Sequence, residues 1–114
     1  TSSLQRSWMR VQTKLRGMIS LSAKAGKVRS GETAVRAAAR KSEVALLLAE
    51  ETASTNTKST MDKLAAAYAL PLLYVQDLGA CIGKPGRTMA ALCDEGFAKA
   101  IARINDEHGG VEGE

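Results

Sequence analysis

The spacing of apolar residues in the first quarter of the chain predicts a long amphipathic helix. Apolar side chains recur there every three or four positions, which is the repeat of one helix face. They are Leu4, Trp8, Val11, Leu15 and Met18. Gly26 comes just after the pattern stops, where a glycine commonly ends a helix. We therefore expect a helix over residues 4–25 and a short extended segment at residues 27–29.

Two uninterrupted apolar runs in the middle of the chain predict strands that are buried on both faces. The runs cover residues 44–49 and 72–75, and each has the length of a strand rather than of a helix. Strands that are apolar on both faces lie between layers of helices. The two runs therefore favour a sheet that is sandwiched between helices.

Shorter patterns supply the remaining elements. Ser30 is in position to cap a second helix, and the Ser/Thr-rich stretch at 52–57 predicts a capped turn before a third. Asp77 and Asp94 are in position to cap two further helices. Residues 88–93 complete a set of four strands.

The predicted helices and strands alternate along the whole chain. This order implies an α/β fold, a three-layer α/β/α sandwich around a small four-stranded sheet that is mostly parallel or mixed. The length of 114 residues suits one compact domain. We expect that domain to cover residues 1–105, followed by a disordered, acidic and glycine-rich tail at residues 106–114.

The distribution of charge points to a polyanionic partner. Ten of the sixteen Lys and Arg residues fall in the first 41 positions, against a single acid, Glu32, whereas the remaining positions hold six bases and eleven acids. A basic face attracts phosphates because each pairing releases condensed counterions. Aromatic residues make up only 4% of the chain, so few side chains are available for stacking on bases. Contacts to RNA should come from backbone, polar and basic groups.

The sequence offers little support for a metal, redox or membrane function. Cys81 and Cys93 match no paired metal-ligand spacing, and His108 is the one histidine. Thiols in apolar surroundings usually belong to the core. No apolar run approaches the roughly 20 residues of a membrane span. We expect a cytoplasmic protein that has no metal, no cofactor and no membrane partner.

Two patterns that are similar to catalytic sites have simpler explanations. Residues 79–84 are similar to a phosphate-binding Walker loop, but the segment is one residue short and Pro85 stands where that loop needs a hydroxyl. Glu50 and Glu51 follow a predicted strand, where ligands of open α/β sheets bind. A solvated loop also accounts for this acidic pair. We therefore expect no enzymatic activity.

Three polar segments are expected to meet at one edge of the sheet. They are the start of the second helix at 30–33, the loop after residue 49, and the basic turn at 84–87. A helix start offers unpaired N–H groups and a positive dipole end, which suit phosphates. An ordinary capped helix and a glycine turn would fit the same residues. The charges expected around this edge are Lys27, Arg29, Arg36, Lys84 and Arg87.

Four segments carry a resemblance to a known family. They read KAGKVRSGE at 24–32, LLLAEE at 46–51 followed by STNTK at 54–58, LGACIGK at 78–84, and DEGFAKAI at 94–101. In this order and spacing they closely resemble the bacterial YlxQ-type branch of the ribosomal protein L-seven-Ae family, over nearly all of residues 12–104. The resemblance implies a three-layer sandwich, no enzymatic activity, and binding of kink-turn RNA. We expect a monomer whose partner is a kinked, structured RNA such as ribosomal RNA or a riboswitch.

The resemblance also implies which positions contact RNA. The family element that reads bases falls on the start of the second helix, and a late loop covers a flipped-out nucleotide. The implied residues are Ser30, Gly31, Glu32, Thr33, Arg36, Glu50, Ile82, Gly83, Lys84, Pro85, Gly86 and Arg87. This chain has Glu32 where the kink-turn binders place Asn, and Thr33 where they place Glu. Lost donors and acceptors reduce base discrimination sooner than phosphate affinity.

A second class of function stays open. Some relatives of the superfamily have become protein-interaction modules on the same fold. Such a module would need an exposed apolar patch, which the sequence does not show. An RNA-binding protein should instead lose affinity steeply as salt rises.

Overall fold

The computed structural model describes the backbone of residues 2–112 and the side chains of residues 13–104. It contains the predicted alternation of helices and strands. The elements are α1 (Ser2–Lys24), β1 (Val28–Ser30), α2 (Glu32–Arg40), β2 (Leu46–Glu50), α3 (Thr55–Tyr68), β3 (Leu72–Val75), α4 (Leu78–Cys81), β4 (Met89–Leu92) and α5 (Glu95–Glu112). The predicted fold class, an α/β/α sandwich with a four-stranded sheet, is confirmed.

The sheet is mixed rather than mostly parallel. Its strand order is β1-β4-β2-β3. Only β2 and β3 are parallel, whereas β4 runs antiparallel to both β1 and β2. The last strand therefore lies inside the sheet and pairs with β1 on one side and β2 on the other. This arrangement brings the two ends of β4 beside segments that are distant in sequence.

The central strand β2 is buried on both faces, as its apolar run predicts. Leu46 and Leu48 face the layer formed by α1, α4 and α5, whereas Leu47 faces the layer formed by α2 and α3. On the first side Ile19 is fully buried, and on the second side Met61 is fully buried. Helices therefore cover both faces of the sheet, which explains why no polar residue interrupts residues 46–49.

Two predicted helix caps are confirmed. The Ser54 hydroxyl accepts a hydrogen bond from the Thr57 N–H at 3.2 Å, at the start of α3. The Asp94 carboxylate accepts from the Phe97 N–H at 3.0 Å, at the start of α5. Each side chain satisfies one of the N–H groups that a helix start leaves without a backbone partner.

Two other predicted caps are wrong. Ser30 is the last residue of β1 and pairs with Ala90, so its backbone is extended. The N-cap of α2 is Gly31, which provides no side-chain hydrogen bond. Asp77 occupies the N-cap position of α4 but has a left-handed backbone with φ of 54°. Its carboxylate pairs with Arg16 at 3.5 Å instead of capping the helix.

The last helix extends past the predicted end of the domain. α5 continues to Glu112, through part of the segment 106–114 for which the sequence predicts disorder. Asp106 and Glu107 directly continue a helix that is already formed, and extending a helix costs far less than starting one. Residues 113–114 lie outside the described residues. The division into a domain and a separate tail stays a prediction.

Candidate functional site

Main-chain hydrogen bonds bring the start of α2 and the end of β2 to the same strand. The Gly31 N–H donates to the Met89 carbonyl at 3.1 Å, and the Glu50 N–H donates to the Thr88 carbonyl at 2.9 Å. Thr88 and Met89 directly follow residues 82–87, which we name the late turn. The three segments expected to meet at one edge therefore do meet there.

The start of α2 has a backbone that requires glycine. Gly31 adopts φ of 91° and ψ of 151°, a region that residues with a Cβ avoid. No side chain caps this helix start. The first-turn N–H groups therefore combine with the positive end of the helix dipole at the surface. Glu32 and Thr33, the first two residues of the helix, are exposed.

The Arg87 guanidinium lies directly against the start of α2. A Cβ on Gly31 would come within 2.7 Å of a terminal nitrogen of Arg87 and within 3.5 Å of its central carbon. Glycine thus provides both the backbone angle and the space for the guanidinium. Arg87 is exposed, so this arrangement presents a positive charge beside the helix N–H groups.

The late turn is held in place by close packing over α4. Gly79 is buried, and a Cβ on it would lie 2.9 Å from the Lys84 carbonyl oxygen and 3.1 Å from the Gly86 nitrogen. The Lys84 N–H also donates to the Gly79 carbonyl at 2.8 Å. Gly83 and Gly86 have φ of 72° and 90°, which glycine adopts without strain.

The side chains of the late turn do not all face outward. The residues from Gly83 to Arg87 are exposed. Ile82, however, is only 8% exposed and belongs to the core cluster that covers the α1 face of the sheet. Its buried side chain anchors the turn, whereas Lys84 presents its charge to solvent.

Glu50 links the end of β2 to α4. One carboxylate oxygen accepts a hydrogen bond from the Leu78 N–H at 2.9 Å. The other oxygen accepts from the N–H and the hydroxyl of Thr52, both at 3.3 Å. Glu50 therefore provides the cap that Asp77 was expected to provide. Both of its oxygens are engaged within the protein, which makes it a positioning group for α4.

Glu32 and Arg36 form an ion pair on the exposed side of α2. The Arg36 Nε donates to a Glu32 carboxylate oxygen at 3.0 Å, across one turn of helix. Both side chains are about half exposed, at 57% for Glu32 and 44% for Arg36. The only acid of the basic N-terminal segment is thus partly neutralised by its neighbour.

Lys27 and Arg29 lie away from this edge. The Cys93 N–H donates to the Lys27 carbonyl at 2.7 Å, which places Lys27 at the end of β1 opposite Gly31. The Arg29 side chain donates to the Gly26 carbonyl at 3.2 Å, again away from Gly31. The structure therefore gathers Gly31, Arg87 and the late turn but not these two basic residues.

The two cysteines are free thiols with little reactivity. Burial raises the pKa of the Cys81 thiol, and although Arg16 lowers it, Asp77 and Glu50 raise it further. Burial likewise raises the pKa of Cys93. Both thiols stay protonated near neutral pH, and a protonated thiol is a poor nucleophile. Within residues 13–104, no cluster of His, Cys, Asp and Glu could hold a metal ion.

Sequence reasoning missed the role of Gly79. The segment 79–84 is similar to a Walker loop, and that similarity hides the actual use of the glycine, which is close approach of the late turn to α4. A glycine inside a short helical pattern is itself a signal of close backbone packing. That signal does not say which segment packs there.

An apolar groove lies at the other end of the sheet. It has a volume of about 520 Å³ and lies between the start of β2, the α3–β3 connection and α5. Its lining includes Val44, Leu46, Leu70, Pro71, Ala98 and Ala102, with Glu95 and Lys99 at the side of α5. The sequence did not indicate such a surface. None of the helices in the described part of the chain is long and apolar enough to cross a membrane.

Comparison with known proteins shows a related sequence and similar folds among solved structures. The chain is 34% identical to the RNA-binding protein YlxQ of Bacillus subtilis over 92 residues, which cover 78% of this chain and 92% of YlxQ. A Bacillus halodurans protein of unknown function superposes with a TM-score of 0.75 at 28% identity, covering 82% of this chain and 97% of that protein.

The second similar fold is more distant in sequence. The Giardia lamblia 15.5 kDa RNA-binding protein superposes with a TM-score of 0.68 at 13% identity, covering 91% of this chain and 89% of that protein. At this identity the match shows the fold alone. No protein-family model matches the chain. The sequence match to YlxQ nevertheless spans most of both proteins, and the chain belongs to the YlxQ-type branch of the L-seven-Ae family.

Proposed function

We propose that this non-catalytic RNA-binding protein recognises a kinked, structured RNA of the kink-turn type, such as ribosomal RNA or a riboswitch. The RNA would contact the start of α2 and the late turn together. The observation that carries the proposal is the position of the Arg87 guanidinium beside Gly31, which combines a positive charge with the open N–H groups of a helix start.

The chemistry of this edge suits a sharply bent phosphate backbone. Phosphates bind well to helix N-termini because the N–H groups and the dipole act on the same oxygens. Lys84 and Arg87 are exposed and supply charge from the late turn. Thr33 supplies a hydroxyl at the helix start, which can donate to or accept from a base edge. An RNA whose phosphates converge at a bend can contact all of these groups at once.

Glu50 and Ile82 support the interface without forming it. The Glu50 carboxylate caps α4 at 2.9 Å from the Leu78 nitrogen, and the Ile82 side chain is buried. Both residues fix the position of the late turn relative to α2. In our proposal they act through the backbone of the turn, and the RNA contacts come from its exposed residues.

The direct test is the double variant Lys84→Ala with Arg87→Ala. Removing two phosphate-binding charges should weaken RNA binding by roughly 1 to 3 kcal/mol, as expected for lost charge-assisted contacts. The melting temperature should stay nearly unchanged because both residues are exposed. Binding is measured by fluorescence anisotropy and stability by circular dichroism.

The matched control is Lys63→Ala with Lys99→Ala, which removes two exposed lysines from α3 and α5. This control has the same net charge as the test variant. It should retain most of the affinity. Equal losses in the two double variants would show that net charge alone determines binding, and the proposed interface would be wrong.

The alternative function, a protein-interaction module, is favoured by one observation. The apolar groove beside Leu70 and Pro71 is the kind of exposed surface that such a module needs. Ala98→Glu would place a charge in this groove. The variant should leave RNA affinity unchanged if RNA binds at the α2 edge. Loss of a co-purifying protein with retained RNA affinity would assign the groove to a protein partner.

A further inference from the structure

A groove between α1 and α4 begins beside the late turn. It consists of two adjoining hollows of about 420 and 350 Å³, which share Ser20, Ala80 and Cys81. The first hollow includes Gly83 of the late turn. From there the groove follows α1 for about 16 Å, given a rise of about 1.5 Å per residue. Along α1 it is lined by Thr13, Arg16, Gly17, Ser20, Ala23 and Lys24.

Gly17 is unexplained by the packing of the chain itself. It lies in the middle of α1, and a Cβ on it would meet nothing within 4 Å. Its backbone is helical, which any residue can adopt. Glycine destabilises a helix interior relative to alanine. A molecule that approaches the helix backbone closely from outside would give this glycine a role.

Among the described residues, the groove carries an unpaired basic side chain at one end and an ion pair at the other. Lys24 is exposed in the last turn of α1, beside the late turn. Arg16 lies at the far end, where it pairs at 3.5 Å with Asp77, which lines the same hollow. The Arg16 side chain is 37% exposed and the Asp77 side chain 74%.

The floor of the groove is fixed. The Ser20 hydroxyl donates to the Cys81 carbonyl at 2.7 Å, which holds α4 against α1. Cys81 directly precedes the late turn, so the groove and the turn are held by the same short helix. A strand of RNA that contacts Lys84 could therefore continue directly into the groove at Gly83.

We propose that the α1–α4 groove binds the phosphate backbone of an RNA strand that continues from the kink held at the late turn. This inference rests on the proposed function. Three observations carry it, namely the continuity of the groove with the late turn, the exposed charge of Lys24, and a glycine that leaves the helix backbone open. The contact is to phosphates, so it adds affinity but little base specificity.

The experiment compares a minimal kinked RNA with the same RNA carrying a single-stranded extension of six uridines on either end. Fluorescence anisotropy at fixed salt gives the affinity for each RNA. An extension on one end should raise the affinity of the parent protein about tenfold, the effect of one or two added charge-assisted contacts.

Two variants should remove this gain. Gly17→Leu places a side chain in the groove beside α1, and Lys24→Ala removes the charge next to the late turn. Both should bind the minimal RNA like the parent protein, because neither position belongs to the edge formed by Gly31 and Arg87. Ala66→Leu and Lys63→Ala, which are exposed on α3, are the matched controls and should keep the full gain. Gly17→Leu should also melt no lower than the parent, because leucine favours the helix.

The outcomes separate the two proposals. If the parent protein binds the minimal RNA and neither extension raises the affinity, the groove proposal is overturned and the proposed function stands. A gain that persists in both groove variants also overturns it. If no kinked RNA binds in any form, the proposed function fails and the groove proposal fails with it.

Discussion

Gly31 shows how a single residue sets the geometry of the proposed interface. Its backbone has φ of 91°, and the Arg87 guanidinium occupies the space where a side chain would project. The family resemblance implies that Gly31 contacts RNA, but it does not imply that an arginine of the same chain lies against this residue. The two residues are 56 positions apart, and no local pattern encodes such a contact.

Gly31→Ala should reduce both stability and RNA affinity. The forbidden backbone region costs on the order of 1 to 3 kcal/mol, and the new methyl group displaces the Arg87 guanidinium. Gly26→Ala is the control, because Gly26 also has a positive φ, 75°, but a Cβ there would meet nothing within 4 Å. Urea unfolding should show a loss in both variants. RNA affinity, measured under conditions where both variants are folded, should fall only in Gly31→Ala. An equal fall in both variants would contradict the placement of Arg87 at the RNA interface.

Glu32→Asn should increase RNA affinity about tenfold. A carboxylate about 8 Å from a phosphate at an effective dielectric constant of 20 is repelled by about 2 kcal/mol before salt screening. The substitution removes this repulsion and releases Arg36, which now donates to Glu32 at 3.0 Å. The loss of this exposed pair should cost stability no more than about 0.5 kcal/mol.

The same variant distinguishes two roles for Glu32. If its carboxylate instead accepts hydrogen bonds from a guanine edge, Glu32→Asn should weaken binding to the kinked RNA and spare binding to duplex. Anisotropy titrations on both RNAs separate these results. Glu95→Asn, at the start of α5 and exposed, is the control and should leave the affinity unchanged. A loss of kinked-RNA affinity in Glu32→Asn would contradict the claim that the Glu32 carboxylate repels the RNA phosphates.

At the scale of elements, the pattern of apolar residues predicted the helices and strands that local sequence determines. The predictions failed where contacts with segments distant in sequence determine the structure. The run at residues 46–49 is a strand buried on both faces because helices lie on each side of it. The Ser30 cap was wrong because pairing with Ala90 of β4 holds Ser30 in a strand. Glu50 caps α4 from 28 positions away, and its acidic side chain gave no indication of that partner.

Gly79→Ala tests whether α4 positions the late turn. The added Cβ would lie 2.9 Å from the Lys84 carbonyl oxygen, which is backbone and cannot rotate away. Forced shifts of this kind cost typically 1 to 3 kcal/mol. We expect a lower melting temperature and weaker RNA binding. Gly17→Ala, where a Cβ meets nothing within 4 Å, should instead raise the melting temperature. An unchanged melting temperature in Gly79→Ala would contradict the packing described for the late turn.

At the scale of the whole molecule, the charge asymmetry of the sequence identified the kind of partner but not the arrangement of the site. Lys27 and Arg29 belong to the basic N-terminal segment, yet they lie at the end of β1 opposite Gly31. Lys84 and Arg87 come from the acidic remainder of the chain and reach the proposed interface through the strand order β1-β4-β2-β3. Counting charges along a sequence cannot predict which basic residues lie at the interface, because the sheet topology determines which segments meet.

The dependence of binding on salt measures how many phosphates the whole surface engages. Contact with about three to five phosphates predicts that log affinity falls against log salt with a slope of roughly −2 to −4. The Lys84→Ala, Arg87→Ala double variant should make this slope shallower by about 2, because each lost phosphate contact changes the slope by about 1. A slope near zero in the parent protein would contradict an ionic RNA interface.

The central claim, recognition of a kinked RNA by the edge that joins α2 to the late turn, is tested most directly by one pair of titrations. Labelled kinked RNA and a plain duplex of equal length are titrated with the parent protein at the same salt concentration. We predict that the kinked RNA binds at least about tenfold more tightly, a difference of about 1.4 kcal/mol. Equal affinities for the two RNAs would contradict the claim and reduce the interaction to attraction between a basic protein and any polyanion.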